Sequence, residues 1–178
     1  MKKARLMTDT PEKDGKDLDG AGPGSKTGQF ALQKIYIKDL SFETPHSPGI
    51  FTLDWAPAVN MQLSSGASHI NDELVEIVLT VTVTTALEEK TAYLVEAHIA
   101  GIFMFKDFPQ NVVEHMTATA CPNILFPFAR ELVCDLVTRG GFPQLLLAPV
   151  NFEALYAQQK RQQNTAPAPA RDDSGTRH

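Results

Sequence analysis

The sequence predicts an α+β domain, in which helices pack on one face of a four-stranded antiparallel sheet. Strand-like segments fill the first part of the chain and helical segments the last, an order typical of α+β domains. The longest helical segment, residues 120–141, is apolar over an arc of about 180°, whereas about 100° covers one core. The surplus surface must meet a second layer. In a chain of 178 residues we expect that layer to be another copy of the subunit.

Alternation of apolar and polar side chains marks the strands. The first run ends at Pro45, and the second ends at the small polar sequence of residues 64–66. The third and fourth runs are separated by a turn at residues 88–90, which favours an antiparallel hairpin. The four predicted strands are residues 30–43, 59–63, 73–86 and 91–105.

Strand geometry gives the hairpin two chemically different faces, because successive side chains point to opposite sides of a sheet. In the fourth strand, one face carries Leu94, Glu96 and His98, and the other carries Tyr93, Val95, Ala97 and Ile99. Gly101 marks either a bulge or the end of this strand.

An irregular, proline-rich crossover joins the first two strands over residues 44–57. It contains Phe51 and Trp55, the only tryptophan of the chain. Such apolar side chains either close the core beneath the crossover or line an exposed groove for an extended polypeptide.

Turn and cap residues delimit three helices. A proline at position 109 suits the first turn of a short helix, and Pro122 opens the long one. Gly140 and Gly141 end the long helix, because glycine readily supplies the positive φ of a C-cap. Asn151 caps the last helix. The predicted helices are residues 109–119, 120–141 and 152 to about 163.

Composition divides the chain into a disordered extension (residues 1–29), a folded domain (residues 30–158) and a flexible tail (residues 159–178). Residues 30–156 hold 6 lysines and arginines against 14 acidic residues, a net charge of −8. Phosphate backbones require clustered basic side chains, so we expect no nucleic-acid partner. The acidic surface either attracts a basic partner or is simply solvated.

Cysteine usage and hydropathy indicate the compartment. Cys121 and Cys134 form no C-x-x-C pair, which fits a reducing environment. The basic amino-terminal stretch is not followed by an apolar signal region, and no apolar run has the length of a membrane span. We expect a cytoplasmic protein that does not insert directly into membranes.

Candidate catalytic groups are sparse. The sequence contains no nucleotide-binding, nucleophile-elbow or zinc-protease motif. Cys121 and His115 could form the Cys/His pair of a small-molecule enzyme, although a buried thiol and a surface imidazole are the favoured interpretation. His98 beside Glu96 could ligate a metal, but a second ligand at suitable spacing is lacking. We therefore predict no metal site and no catalytic residue.

Four strings resemble the SecB family of bacterial protein-export chaperones: KDLSFETP at 38–45, GIF at 101–103, CPNILFPFARE at 121–131 and RGGFPQLLLAPVNFEALY at 139–156. The resemblance covers about residues 30–158. It implies a chaperone without enzymatic activity or cofactor that assembles as a dimer of dimers, a homotetramer. Such a holdase keeps precursor proteins unfolded in the cytosol and passes them to SecA, the translocase ATPase.

The resemblance also implies three sets of functional residues. The positions that match the SecA contact are Asp39, Glu43, Leu94 and Glu96. Those that match client-binding grooves are Phe51, Trp55, Ile102, Phe103, Cys121, Pro122 and Leu125. Those associated with subunit association are Val95, Ala97, Ile99, Phe126 and Val133. Strand periodicity supports the first set independently, because Asp39 and Glu43 share a face if no bulge separates them, as do Leu94 and Glu96. A related holdase dedicated to a toxin–antitoxin partner is the alternative.

Overall fold

The computed structural model describes residues 28–165, which form a four-stranded antiparallel sheet with three helices. Our expectations for residues 1–27 and 166–178 lie outside the described residues. The sheet order is β1-β4-β3-β2. The strands are β1 (Gln29–Glu43), β2 (Ala58–His69), β3 (Leu74–Leu87) and β4 (Lys90–Lys106), and the helices are α1 (Gln110–Ala118), α2 (Ala120–Arg139) and α3 (Phe152–Thr165). The predicted α+β class is confirmed.

The central hairpin of β3 and β4 has the predicted division of faces. Over residues 75–87 and 93–105, odd-numbered side chains are buried beneath the helices, and even-numbered ones other than the buried Ala100 are half-buried on the other side. Valine, isoleucine and leucine supply the buried face, which suits their packing on a pleated surface. The largest contributors from the two strands are Ile77, Leu79, Val81, Val83, Tyr93, Val95, Ile99 and Phe103.

Helix α2 packs against the helix side of β4 and β3, and a glycine in β4 accommodates it. A Cβ added at Gly101 would lie 2.7 Å from Phe103 Cε2 and 2.9 Å from Leu125 Cδ2. Gly101 pairs regularly with both neighbouring strands, so it is neither a bulge nor a strand end. Its missing side chain is the space that Leu125 of α2 occupies.

The ends of the helices are largely as predicted. Gly141 has a φ of +86°, whereas Gly140 has a helical φ of −69° and leaves room for the ring of Phe42. Asn151 Oδ1 accepts a hydrogen bond from the Ala154 amide at 2.9 Å, which confirms the predicted cap. Helix α3 crosses the boundary that we placed at residue 158.

Strand β2 is longer than predicted. It continues through Ser64, Ser65 and Gly66 to His69, because every residue from Ala58 onward pairs with β3. A backbone ladder along a neighbouring strand outweighs the weak strand propensity of serine and glycine. None of the helices within residues 28–165 has both the length and the apolar composition of a bilayer-spanning segment.

Candidate functional site

The open face is the side of the sheet opposite the helices, where β1 presents Asp39, Ser41 and Glu43 beside Leu94, Glu96 and His98 of β4. Antiparallel pairing places Glu43 opposite Leu94, Ser41 opposite Glu96 and Asp39 opposite His98. Directly opposite residues share a face of the sheet. All four residues predicted for the SecA contact therefore come together on two adjacent strands.

A bulge in β1 creates this arrangement. Ile37 pairs with Ile99 on the helix side, and the next pair along is Asp39 with His98, so Lys38 is the extra residue. One extra residue reverses which side of the sheet each later side chain faces. Asp39 therefore points to the open face. Had the alternation continued from Ile37 without interruption, Asp39 would have faced the helices.

Glu96 is held by a histidine on the same strand. His98 Nε2 lies 2.7 Å from Glu96 Oε1, and His98 Nδ1 lies 3.3 Å from Thr80 Oγ1 of β3. The Glu96 side chain remains 43% exposed, so its carboxylate is accessible to a partner. Asp39 lies opposite His98 on β1 and adds a second carboxylate to the same row.

The other end of the open face carries an acidic residue with internal partners. Glu76 of β3 accepts hydrogen bonds from Lys38 Nζ at 2.6 Å, from Ser68 Oγ at 3.1 Å and from the Tyr36 hydroxyl. The Lys38 bond, followed by that from Tyr36, lowers the pKa of Glu76. The same carboxylate raises the pKa of Tyr36. These hydrogen bonds connect β1 and β2 to β3 and leave the Glu76 carboxylate little exposed. The Glu96 carboxylate, by contrast, is partly open to solvent.

A second candidate surface is an apolar pocket at the crossover, which we call the crossover groove. It has a volume of about 160 Å³ and is lined by Ile50, Phe51, Leu53, Trp55, Gly141, Phe142 and Pro143. The ring of Phe142 lies 4.9 Å from that of Phe51 and 5.7 Å from that of Trp55. Phe142 is buried, while Phe51 remains 50% exposed. Sequence reasoning missed Phe142, although an aromatic residue directly after the helix-ending glycines was the available signal.

The remaining residues of the predicted client set lie elsewhere. Phe103, Cys121 and Leu125 are fully buried between α2 and the sheet, and Pro122 is buried with them. Ile102 is half-buried on the open face. In this chain, the structure brings Phe51 and Trp55 together in a groove but places the other five away from it.

The residues predicted for subunit association lie inside the subunit. Val95, Ala97, Ile99, Phe126 and Val133 are all buried in the core. Uncovered apolar side chains do occur on the helix side, where Ile37 of β1 is 52% exposed and Phe128 of α2 is 48% exposed. The wide apolar arc of residues 120–141 was the sequence signal for Phe128.

Cys121 is buried, whereas His115 lies at the surface and contacts Glu153. Burial raises the pKa of the Cys121 thiol to about 12, so the thiol is protonated at neutral pH and a poor nucleophile. His115 is exposed, and its Nε2 lies 3.1 Å from Glu153 Oε1 of α3. The burial of Cys121 and the contact of His115 with Glu153 favour structural roles for these residues over a catalytic pair.

Comparisons with known proteins identify the family of this chain. The family model described as preprotein translocase subunit SecB matches residues 24–163. A protein-export protein SecB from Nitrosococcus oceani is 57% identical over 142 residues, which cover 79% of this chain and 87% of that protein. Another from Methylococcus capsulatus is 55% identical, with coverage of 79% and 92%.

A solved structure shares the fold at low sequence identity. It is the SecB-like chaperone of Mycobacterium tuberculosis in complex with a ChAD peptide from the HigA1 antitoxin. Its TM-score is 0.59 at 14% identity, and the match covers 68% of this chain and 90% of that one. Because the family model matches residues 24–163 and the two sequence relatives are more than half identical, this protein belongs to the SecB family, a family of protein-export chaperones and not of enzymes.

Proposed function

We propose that this protein is an ATP-independent, cytoplasmic holdase that keeps precursor proteins unfolded and delivers them to SecA. The observation that carries the delivery step is the convergence of Asp39, Glu43, Leu94 and Glu96 on the open face. Three carboxylates around one apolar side chain form a flat, acidic surface. Such a surface is complementary to a basic patch on a partner protein.

Clients bind through apolar contacts, for which the crossover groove with Phe51 and Trp55 is the candidate that we test. Exposed aromatic side chains beside a small pocket suit a single bulky client residue at a time. A holdase for many precursors needs weak, sequence-tolerant contacts repeated along an extended chain. Several copies of the groove in one assembly would raise the effective affinity without any new contact.

Assembly as a dimer of dimers is supported by the uncovered apolar side chains on the helix side. Ile37 and Phe128 are large and about half exposed, and a second subunit would bury them. The test is native mass measured with and without an unfolded precursor. A tetramer that gains the mass of a precursor supports both the proposed assembly and client binding, whereas a stable monomer would overturn the proposed assembly.

The holdase activity is tested by aggregation of a denatured, slowly folding precursor. Stoichiometric amounts of the protein should slow aggregation, and Phe51→Ala with Trp55→Ala should weaken this protection. Ile70→Ala is the matched control, because Ile70 is 53% exposed but lies outside the groove. Equal losses in both variants would mean that general surface hydrophobicity, and not the groove, holds clients.

SecA docking is tested by charge reversal on the open face. Glu96→Lys should weaken SecA binding while native mass stays unchanged. Asp72→Lys makes the same charge change in the exposed turn between β2 and β3, and it should bind SecA normally. Loss of assembly together with SecA binding in Glu96→Lys would show a structural role for Glu96.

The alternative is a holdase dedicated to a toxin–antitoxin partner. The Mycobacterium tuberculosis relative supports the fold alone at 14% identity, whereas the relatives above 50% identity are export proteins. Export is therefore favoured. Co-purification separates the two functions, since recovery of one dedicated partner instead of SecA and varied precursors would support the alternative.

A further inference from the structure

We propose that His98 is a positioning residue for the docking carboxylate of Glu96. The proposal rests on the proposed SecA contact and adds a residue that the family resemblance did not supply. Its basis is the chain of contacts from Thr80 through His98 to Glu96 across β3 and β4.

The contacts of His98 define a proton arrangement for its neutral ring. A carboxylate can only accept, so the 2.7 Å contact makes His98 Nε2 the donor to Glu96 Oε1. The neutral ring then accepts at Nδ1, where the Thr80 hydroxyl lies at 3.3 Å. Thr80 thus fixes the ring, and the ring fixes one oxygen of Glu96. The second oxygen, Oε2, is left for a basic group of the partner.

Orientation of this carboxylate matters because Glu96 is otherwise a flexible side chain. Glutamate loses rotamer freedom when a partner immobilises it, and that loss opposes binding. A hydrogen bond formed before the encounter reduces the cost. His98 is 27% exposed and Glu96 is 43% exposed, so the pair lies at the surface that a docking protein would cover.

The experiment measures the dissociation constant for purified SecA at pH 8, using the full-length protein. His98→Ala should bind about three- to tenfold more weakly than the wild type, the range expected for losing one hydrogen bond to a partly exposed carboxylate. Protection of a denatured precursor should be unchanged in both proteins.

Further variants separate positioning of Glu96 from a general structural role. His98→Gln retains an amide donor, so it should keep most of the wild-type affinity. Thr80→Val removes the hydroxyl with little change in shape, and it should produce a smaller loss in the same direction as His98→Ala. In a Glu96→Gln background, His98→Ala should have little further effect, because the carboxylate that it positions is absent.

The outcomes distinguish this inference from the proposed function. If the wild type does not bind SecA, both proposals are wrong. If the wild type binds but His98→Ala matches its affinity, only the role of His98 is overturned. Tighter binding by His98→Ala at pH 8 would also overturn it, since that result would make His98 a competitor for Glu96.

Discussion

The two faces of the sheet are made by alternate residues of the same strands, yet they differ in chemical character. On β3 and β4, the helix side is largely apolar and buried, whereas the open face mixes threonines, glutamates and a histidine with half-buried apolar side chains such as Leu94 and Ile102. On the helix side, packing against α2 limits which side-chain shapes fit. On the open face, hydrogen bonds and charge limit which side chains are suitable. Substitutions on the helix side should therefore change folding, and those on the open face should mainly change binding.

The largest effect should come from Leu125→Ala in α2. Leu125 is fully buried against the sheet, and truncating a buried leucine leaves a cavity that costs about 2 to 5 kcal/mol. Denaturant unfolding measures this cost as a lower midpoint with an unchanged slope. A loss below about 1 kcal/mol would contradict the close packing between α2 and β4.

A smaller loss on the same side is expected for Gly101→Ala. The added methyl group would crowd Phe103 and Leu125, and overpacking costs about 1 to 3 kcal/mol. Replacing glycine in a strand recovers about 0.5 to 1 kcal/mol of chain entropy, which does not outweigh that cost. In the Leu125→Ala background, the penalty should shrink because the methyl group then has space. Additive losses would argue against direct contact.

Glu76→Gln should cause a moderate, pH-dependent loss of stability. Glu76 lies on the open face, so it is an exception to the expectation that substitutions on this face mainly change binding. Its carboxylate accepts bonds from Lys38 and Tyr36, so its loss should cost about 1 to 2 kcal/mol at pH 7. Because folding lowers the pKa of Glu76, this stability is present above the unfolded-state pKa. It is lost as the pH falls through the folded value.

The unfolding free energies of the wild type and Glu76→Gln should accordingly converge in acid. Chemical unfolding at a series of pH values between 7 and 3 measures the difference. A constant difference across this range would assign the loss to packing and not to ionisation.

The smallest effect on stability should come from Glu43→Gln. Glu43 is exposed on the open face, and surface substitutions usually change stability by less than about 0.5 kcal/mol. Binding to SecA should still weaken, more at low salt than at high salt. If this variant unfolded readily, the separation between a folding face and a binding face would fail.

Local pattern was sufficient for much of this architecture. Alternation identified the hairpin and its two faces, and the cap at Asn151 followed from its position before a helical segment. The position of Asp39 and Glu43 on one face was also predictable, because the bulge lies before Asp39 and not between them.

Features that depend on distant parts of the chain were not predictable. Tyr36 meets Glu76 across 40 residues, and no local signal connects them. Phe142 forms the base of the crossover groove only because the chain returns there after α2. The extension of β2 likewise depends on β3 beside it. In each case a contact between distant parts of the chain determines the local structure, and such contacts cannot be read from a single sequence.

The bulge at Lys38 makes the effect of a length change in β1 depend on its position. Deleting Lys38 would remove only the extra residue, so Asp39 would follow Ile37 directly, still pair with His98 and keep its side chain on the open face. Deleting a regularly paired residue such as Leu40, with the pairs on its amino-terminal side kept, would instead turn Glu43 toward the helices and Phe42 toward the open face. A deletion that removes no acidic residue would thus take Glu43 out of the proposed SecA-docking surface. Outside the bulge, single insertions and deletions in this strand are therefore expected to be far less tolerated than exchanges of its exposed side chains.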